Sequence, residues 1–372
     1  MTSEYLSNEQ LVMAARRRLP QGRWDYLTGG SESETTMRRN REAFDRWAFR
    51  PRTLVDVSKI DTSTTFMGQR LRIPVVMAPV GGLPSFWPDG NVAVAQAASD
   101  FGTMQVIASG ANPDMERIAA TGSFPKVFQL YVQGDEDWVR GIVTRVKPSG
   151  YIGLCVTADV AIYSRRERAM LSEAIPAGLR ALRQAQDERT RRNYLAELSW
   201  DYFDRIREMT GGLPVQLKGV ATAEDAAMAV ERGVEVIWVS NHGGRQLDHG
   251  IGSLDALPEI VEAVAGRAEI VVDGGVQRGN DVLKAMALGA NAVAIGKLQG
   301  WGLAAAGAYG VRRVLEILEN EIISAMGLLG ITSIDQLSPA YLRRAEPVTP
   351  AHEMSAWVNM AGNAVTAEGR IL

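Results

Sequence analysis

The chain contains 372 residues, 46% of them hydrophobic, and carries a formal net charge of -3 at pH 7. A chain of this size can bury a sizeable core, either as one large α/β barrel or as two ordinary domains. Because nucleic acids are bound by clustered Lys and Arg, this charge argues against a nucleic-acid partner, whereas a small anionic substrate is compatible with it. The single cysteine, Cys155, excludes an intramolecular disulfide and a multi-cysteine metal site, and its apolar surroundings predict a core position.

The N-terminal segment MTSEYLSNEQ is polar and acidic, and it lacks the basic and apolar regions of a secretory signal. No apolar run approaches the roughly 18–20 residues that are needed to cross a bilayer. We therefore expect a cytoplasmic protein with no integral membrane segment, and we expect no bound metal.

Residues 1–72 precede the first predicted strand and are interpreted as a helical N-terminal extension. Eight short runs follow that are apolar throughout, as buried parallel strands are. These runs are IPVVMAPV from Ile73, MQVIAS from Met104, VFQLY from Val127, IGLCVTAD from Ile152, PVQLKG from Pro214, VEVIWVSN from Val234, EIVVDGG from Glu269 and NAVAIG from Asn291. Amphipathic stretches separate them; the stretch from Thr222 starts with an N-cap residue and stops at Gly233.

Eight strands that alternate with helices predict either a closed barrel or a doubly wound open sheet. Polar and glycine-rich residues follow the strands, and they converge only in a barrel, where all carboxyl ends surround one mouth. We therefore predict a single (β/α)8 TIM barrel domain over residues 1–372. Residues 167–198 are either a lid over the mouth or a solvated surface helix, and residues 345–372 are interpreted as a tail.

The motif SNHGGRQLD, from Ser240 to Asp248, directly follows a predicted strand and is the strongest local signal. A histidine at a strand end beside two glycines, here His242, is a natural proton acceptor near neutral pH. Arg245 offers a planar fork for a carboxylate. Asp159, after the fourth predicted strand, is the candidate that orients His242 and stabilises its protonated form, with a helix cap as the alternative interpretation.

Other polar residues at the strand ends have two interpretations each. In SRRER, one of Arg165 and Arg166 meets the substrate carboxylate while the other is surface charge. Tyr26 and Tyr131 either donate hydrogen bonds or pack. Lys218 either lies against a developing anion or a flavin ring, or forms a Schiff base.

Two glycine-rich segments follow the last two predicted strands, DGGVQRGND from Asp273 to Asp281 and AIGK from Ala294 to Lys297. Exposed backbone amides and a cation at this place form the usual phosphate cup of a barrel. The pattern predicts a phosphate group without indicating to which ligand it belongs.

Together, WDYLTGG, MAPVGG, FQLY, VTAD with SRRE, LKG, SNHGGRQLD, DGG and IGK resemble the FMN-dependent 2-hydroxy acid dehydrogenases and oxidases, the family of glycolate oxidase and mandelate dehydrogenase. The resemblance covers about residues 6–341 and implies that FMN is the cofactor. It implies that Pro79, Val80 and Gly81 line the reactive edge of the flavin, that Gln129, Thr157, Lys218 and Ser240 bind the isoalloxazine, and that Asp273, Gly274, Gly275, Gln277, Arg278, Gly296 and Lys297 hold the ribityl chain and phosphate.

The resemblance further implies oxidation of a 2-hydroxy acid, with Tyr26, Arg166 and Arg245 on the substrate carboxylate, Tyr131 near the hydroxyl and His242 as the base. The sequence leaves open whether the proton comes from Cα, giving a carbanion, or from the hydroxyl. A homo-oligomer, specifically a tetramer, is expected, and the electron acceptor is oxygen, a quinone or a protein. Three alternatives stay open: an oxidase or monooxygenase of a small aliphatic 2-hydroxy acid such as lactate or glycolate, a non-redox isomerase or lyase with the same phosphate cup, and a family member without turnover.

The phosphate cup departs from the family pattern at two positions. Gln277 and Lys297 stand where the family usually has Arg, so the cup loses one cation and one bidentate fork. Either Arg278 compensates or FMN binds more loosely.

Three positions near the flavin and the substrate also depart from the family pattern. Ala108, followed by Ser109, replaces a serine that usually touches the flavin. Gly110 replaces a bulky aromatic residue that is common among glycolate oxidases, and the space left predicts an aryl or bulky alkyl 2-hydroxy acid. Gly81 stands where oxidases generally carry Ala and resembles mandelate dehydrogenase, although one residue does not decide the electron acceptor.

Overall fold

The computed structural model describes residues 5–111, 114–172, 193–348 and 350–360. The strands are β1 (Trp47–Phe49), β2 (Thr64–Phe66), β3 (Gln69–Leu71), β4 (Val75–Met77), β5 (Gln105–Ala108), β6 (Lys126–Leu130), β7 (Gly153–Thr157), β8 (Val215–Val220), β9 (Val236–Val239), β10 (Glu269–Asp273), β11 (Ala292–Ile295) and β12 (Leu342–Arg344). The helices are α1 (Asn8–Arg18), α2 (Gln21–Thr28), α3 (Thr35–Asp45), α4 (Gly90–Phe101), α5 (Met115–Ala119), α6 (Glu136–Val146), α7 (Glu167–Leu171), α8 (Trp200–Met209), α9 (Ala223–Glu231), α10 (Ser253–Val264), α11 (Gly279–Ala287) and α12 (Lys297–Leu329).

Strands β4 to β11 form a closed parallel barrel in chain order, and β11 pairs with β4 to complete the ring. Their side chains alternate between two buried layers, as the period of a strand requires. One layer fills the barrel interior and includes Val76, Cys155 and Trp238. The other packs against the surrounding helices and includes Val75 and Met77. The predicted TIM barrel and its eight strands are confirmed, as is the core position of Cys155.

The amphipathic stretch from Thr222 forms α9 as expected. The Thr222 side chain accepts a hydrogen bond from the backbone N–H of Asp225 and so caps the helix. Beyond the last turn, Gly233 has a φ of +74°, the left-handed conformation that ends many helices.

The N-terminal extension is helical only as far as Asp45, so the prediction for residues 1–72 was wrong in its second half. There, β2 and β3 form a hairpin, because Thr64, Thr65 and Phe66 favour extended backbone and Gly68 takes a φ of +67° in the turn. The hairpin contacts the amino ends of barrel strands, where the backbone N–H of Met67 donates to the Glu269 carboxylate. It closes the end of the barrel opposite the mouth.

The two remaining predicted segments are described in part. Of residues 167–198, those numbered 173–192 lie outside the described residues, and the flanking pieces form α7 and a 3-10 turn at Tyr194–Glu197. Of the predicted tail, residues 350–360 are described and are packed onto the domain, with Trp357 fully buried. Among the described helices, none combines the length and the apolar character that crossing a bilayer requires.

Candidate active site

Barrel closure brings the predicted site residues to one mouth. They follow the carboxyl ends of the strands as Pro79, Val80 and Gly81 after β4, Gly110 after β5, Gln129 and Tyr131 at β6, Thr157 and Asp159 at β7, Lys218 in β8, Ser240 and His242 after β9, Asp273, Gly274 and Gly275 at β10, and Gly296 and Lys297 after β11. Tyr26 enters from α2, and Arg166 precedes α7. The site is therefore assembled from the whole ring.

His242 lies between a carboxylate and a phenol. Its Nδ1 is 3.1 and 3.2 Å from the two carboxylate oxygens of Asp159, and its Nε2 is 3.3 Å from the hydroxyl of Tyr131. The Asp159 contact favours the tautomer with the proton on Nδ1, which leaves the Nε2 lone pair toward the mouth. The geometry is that of a positioned base with an orienting acid.

Charges around the imidazole agree with this arrangement. Burial lowers the pKa of His242 below its usual value even though Asp159 opposes the shift, so the ring is neutral at neutral pH. Burial alone would raise the pKa of Asp159, but His242 and Lys218 outweigh it and the pKa is lowered. Burial and Asp159 raise the pKa of Tyr131, so its phenol keeps its proton and can donate it in a hydrogen bond.

The backbone at His242 is in the left-handed region, with a φ of +61° followed by +65° at Gly243 and +75° at Gly244. This conformation is unfavourable for a side chain larger than glycine and is held by surrounding contacts. One of these is the hydrogen bond from the His242 backbone N–H to the Ser240 hydroxyl at 3.0 Å. The two glycines therefore continue a tight turn that projects the imidazole into the mouth.

Lys218 is a buried cation with a fixed counter-ion. Its Nζ donates to the Ser240 hydroxyl at 2.9 Å and lies 3.4 Å from the Asp273 carboxylate. Asp273 also accepts hydrogen bonds from the Ser240 hydroxyl and the Trp238 indole. Burial would lower the pKa of Lys218, but Asp273 and Asp159 raise it above its usual value, so the ammonium stays charged. A charged lysine does not suit the Schiff-base role, which needs a neutral amine.

Arg166 and Arg245 place two guanidinium groups side by side in the mouth. The Arg245 group donates to the Gly29 carbonyl at 2.7 Å and lies over the Tyr26 ring at 5.1 Å. Among the described residues, neither guanidinium forms an ion pair with a carboxylate. Burial and the neighbouring Arg166 lower the pKa of Arg245 to about 10, which an anionic ligand would reverse. Arg165, in contrast, is exposed and lies near Glu167, so of the two adjacent arginines it is Arg166 that lies in the mouth.

Gln246 is a site residue that the sequence prediction missed, although it lies within SNHGGRQLD. Its amide nitrogen donates to the backbone carbonyls of Asp159 and Ile162, and its amide oxygen accepts a hydrogen bond from Arg166 at 3.1 Å. The residue thus holds the loop after β7 against the loop after β9. Its position four residues after His242 was the available signal, but spacing does not show where a side chain points.

The positions that the resemblance gives to the isoalloxazine form a connected polar set. The Gln129 amide donates to the Thr157 hydroxyl at 3.1 Å, and its oxygen accepts from the Ser109 backbone N–H. The Ser109 hydroxyl accepts a hydrogen bond from the backbone N–H of Tyr131 at 3.1 Å. Ala108 is buried beside this set. These donors and the Lys218 ammonium suit the carbonyl and ring nitrogen acceptors of a flavin.

The phosphate cup also suits FMN. At Gly275 a side chain would place its Cβ 2.5 Å from the backbone oxygen of Asn40, so only glycine permits this loop. Asp281 holds the loop in place. Its carboxylate accepts hydrogen bonds from the backbone N–H groups of Gln277 and Arg278 and pairs with Arg41 at 2.6 Å. A rigid glycine-rich loop with a cation nearby is the arrangement that binds phosphate.

Lys297 is the cation of this cup. Among the described residues its ammonium forms no ion pair with a carboxylate, and its hydrogen-bond contact is the Met37 sulfur at 2.6 Å, which is a weak acceptor. Burial, followed by the charge of Arg245, lowers the pKa of Lys297 to about 7. A phosphate dianion would supply the missing counter-charge. FMN therefore fits the residues present, with Lys297 in place of the arginine that the family usually has.

This geometry predicts that FMN binding weakens as the pH rises above about 7. In the apo-protein Lys297 loses its proton there, whereas the bound phosphate raises the pKa of Lys297 and retains it, so binding takes up a proton. The dissociation constant should rise by up to about tenfold per pH unit until the pKa of the bound state is reached. Fluorescence titrations of apo-protein with FMN between pH 6 and pH 9 measure this slope. Lys297→Met should bind FMN more weakly and without the slope, whereas a slope that survives this substitution assigns the proton to another group.

Within the described residues, no cluster of three or more His, Cys, Asp or Glu is placed to hold a metal ion. The charged groups of the mouth are the imidazole, carboxylate, guanidinium and ammonium groups described above.

Comparisons with known proteins agree with the geometry. The model of the FMN-dependent dehydrogenase family matches residues 15–344. L-lactate oxidase from Nostoc sp. is 39% identical over 348 residues, which are 88% of this chain and 95% of that protein. Glycolate oxidase 3 from Arabidopsis thaliana is 40% identical over 344 residues, which are 88% of this chain and 93% of that protein.

Solved structures of similar proteins include a mandelate oxidase, with a TM-score of 0.85, 39% identity and coverage of 93% of this chain and 100% of that chain. A mutant of the active chimera of (S)-mandelate dehydrogenase has a TM-score of 0.84 and 32% identity, and the match covers 91% of this chain and 99% of that chain. The chain therefore belongs to the FMN-dependent dehydrogenase family and is an FMN-dependent enzyme that oxidises 2-hydroxy acids.

Proposed function

We propose that the chain oxidises a 2-hydroxy acid with a bulky or aryl side chain, such as mandelate, to the 2-oxo acid. The observation that carries this proposal is the free space at Gly110, where, apart from its two chain neighbours, no heavy atom of the described residues lies within 4 Å of an added Cβ. Gly81 has the same space around it. A phenyl group needs such room beside the reacting carbon. The similarity to solved mandelate oxidases supports the same substrate class.

The substrate carboxylate is assigned to Arg166 and Arg245. Two adjacent guanidinium groups repel each other until an anion lies between them, and the planar fork of each suits a carboxylate. The Tyr26 ring beneath Arg245 keeps that group in place. With the carboxylate held here, the 2-hydroxyl and Cα of the substrate lie toward His242 and Tyr131.

His242 acts as the general base through Nε2. Asp159 holds the imidazole from the Nδ1 side and stabilises the imidazolium that forms when the proton arrives. The Tyr131 hydroxyl donates a hydrogen bond to the substrate oxygen in this assignment. When bound, FMN supplies the two-electron acceptor for the oxidation. The Lys218 ammonium contributes a fixed positive charge in the flavin region.

A small aliphatic 2-hydroxy acid is the second candidate substrate. The L-lactate oxidase and the glycolate oxidases among the relatives favour it, since they are 37–40% identical to this chain. The two candidates differ in the group that occupies the space at Gly110. Both candidates use Arg166 and Arg245 to bind the carboxylate and His242 as the base.

Anaerobic stopped-flow reduction of the purified holoenzyme with glycolate, lactate and mandelate distinguishes them. We expect mandelate to bleach the flavin fastest, and Gly110→Phe to slow reduction by mandelate by about 100-fold or more relative to lactate. Gly141→Phe is the matched control, because Gly141 also has no heavy atom within 4 Å of its Cβ position but lies on the outer helix α6. Fastest reduction by lactate or glycolate in the unmodified protein would favour the small substrate. A colourless protein that takes up no FMN would end both assignments.

A further inference from the structure

The C-terminal strap, residues 350–360, lies beyond residue 344, where the match to the family model ends. It is nevertheless anchored in the domain. Trp357 is fully buried, and its ring lies 5.6 Å from that of Trp301 in an edge-to-face contact. Burial of an indole provides one of the largest apolar contributions that a single side chain can make. The strap is thus a docked element of this chain.

The polar side of the strap contacts the phosphate cup directly. The Gln277 amide nitrogen donates to the Glu353 backbone oxygen at 2.6 Å, and Arg278 Nε donates to the Ala356 backbone oxygen at 3.1 Å. These are two of the residues to which the family resemblance gives the ribityl chain and phosphate. Gln277 is also one of the two departures from the usual arginines, and here its side chain is engaged by the strap.

The strap also brings charge to the cup. The Glu353 carboxylate pairs with Arg168 at 2.9 Å, and the other end of that guanidinium pairs with Glu34. Glu353 and Glu34 are the groups whose negative charge acts against the lowering of the Lys297 pKa. Because the interaction between two charges weakens with distance, this effect on the Lys297 pKa indicates that Glu353 lies near Lys297. The two hydrogen bonds from Gln277 and Arg278 and the nearness of Glu353 to Lys297 therefore place the strap at the phosphate end of the cofactor site.

We propose that the C-terminal strap is part of the FMN site and slows FMN release, with Gln277, Glu353 and Trp357 as its positioning residues. The strap fixes the Gln277 and Arg278 side chains over the loop pinned by Asp281 and closes the cup beside Lys297. FMN leaves after the strap has undocked. This inference concerns retention of the cofactor and is independent of the substrate that the enzyme oxidises.

The first test compares FMN release from the full chain with that from a chain that ends at Glu346, which keeps all residues matched by the family model. We expect the dissociation constant and the release rate to rise by about tenfold or more, because the Gln277 amide loses the Glu353 carbonyl and Arg278 loses the Ala356 carbonyl, although Arg278 keeps its pair with Glu321. Trp357→Ala should behave like the truncation, and Trp357→Phe should recover part of the affinity. Val358→Ala is the matched control, since Val358 is the next residue and is 74% exposed. The fluorescence of released FMN measures both quantities.

A double-mutant cycle separates the strap from direct contact between Gln277 and FMN. If Gln277 acts through the strap, Gln277→Leu costs affinity in the full chain and little in the truncated chain. Equal costs in both chains would show that Gln277 acts without the strap, which contradicts its role as a positioning residue there. Thermal unfolding curves of the FMN-saturated variants verify that each variant is folded.

A second readout needs no variant. Chymotrypsin cleaves after Trp357 only when the strap is undocked, so by linkage saturating FMN should slow this cleavage by the factor by which the strap lowers the dissociation constant of FMN. Mass spectrometry of the full chain, with and without FMN, follows the cut. Cleavage at Trp357 that FMN leaves unchanged would overturn the proposal, and so would equal FMN release from the full and truncated chains.

Discussion

His242→Gln should retain FMN while the reduction of the flavin by substrate slows by about 10²–10⁴-fold. The glutamine side chain cannot accept the proton that Nε2 takes in the proposed mechanism, and loss of a general base has this cost. The FMN-binding residues described above are untouched, so the visible spectrum of the flavin should stay close to that of the unmodified protein. Anaerobic stopped-flow absorbance with saturating 2-hydroxy acid measures the rate.

The chain offers a matched control for this variant. His249 lies in the same segment, also has a positive φ, 58°, and has a side chain that is 68% exposed. His249→Gln therefore makes the same chemical change in a similar backbone conformation away from the base, and we expect an unchanged rate. Near-normal reduction in His242→Gln would remove the assigned mechanism.

Asp159→Asn should slow reduction by a comparable factor, about 10²–10⁴-fold, with FMN still bound. The amide keeps the shape of the carboxylate but cannot stabilise the imidazolium, and it lets the ring adopt the other tautomer. The pH profile gives a sharper test. Burial lowers the pKa of His242 and Asp159 is the main group that opposes this shift, so without its charge the pKa of His242 falls further.

The rate of flavin reduction should therefore increase as the pH rises through the pKa of His242, because the neutral imidazole is the base. In Asp159→Asn this acid limb of the pH profile should move to lower pH. Stopped-flow rates between pH 4 and pH 8 locate the limb in both proteins. A limb that stays in place would mean that Asp159 positions the ring without influencing its protonation. An unchanged maximal rate would contradict the orienting role itself.

The barrel was predictable because its strands are buried on both faces, so each is a continuous apolar run that ends in glycine or polar residues. Closure of the ring then predicts that His242 and Asp159 meet, although they are 83 residues apart. Spacing alone does not separate the adjacent Arg165 and Arg166, and the family resemblance assigned Arg166 to the substrate carboxylate. In the structure Arg166 is buried and donates a hydrogen bond to Gln246, which agrees with that assignment.

Other features depend on long-range contacts that leave no local pattern. Within residues 46–72, β1 forms by pairing with β12, which lies almost 300 residues further along the chain. Trp357 in the predicted tail is buried because Trp301 offers an apolar surface far away in the sequence. The contacts of the Asp273 carboxylate with Lys218, Ser240 and Trp238 also join separate strands, and its expected place at the ribityl chain stays a prediction. The homo-oligomer stays a prediction, which sedimentation analysis can check.

The side-by-side arginines have a consequence for how ligands arrive. The chain as a whole is slightly acidic, with a net charge of -3, yet the Arg166 and Arg245 guanidinium groups in its mouth have no paired carboxylate among the described residues. A hydroxy acid anion in solution is thus attracted to the local positive field of these two groups. Dissolved salt screens that field over a distance of about 10 Å at 0.1 M. Encounter rates should therefore depend on ionic strength, and bimolecular constants of different substrates are comparable only in buffers of equal salt content.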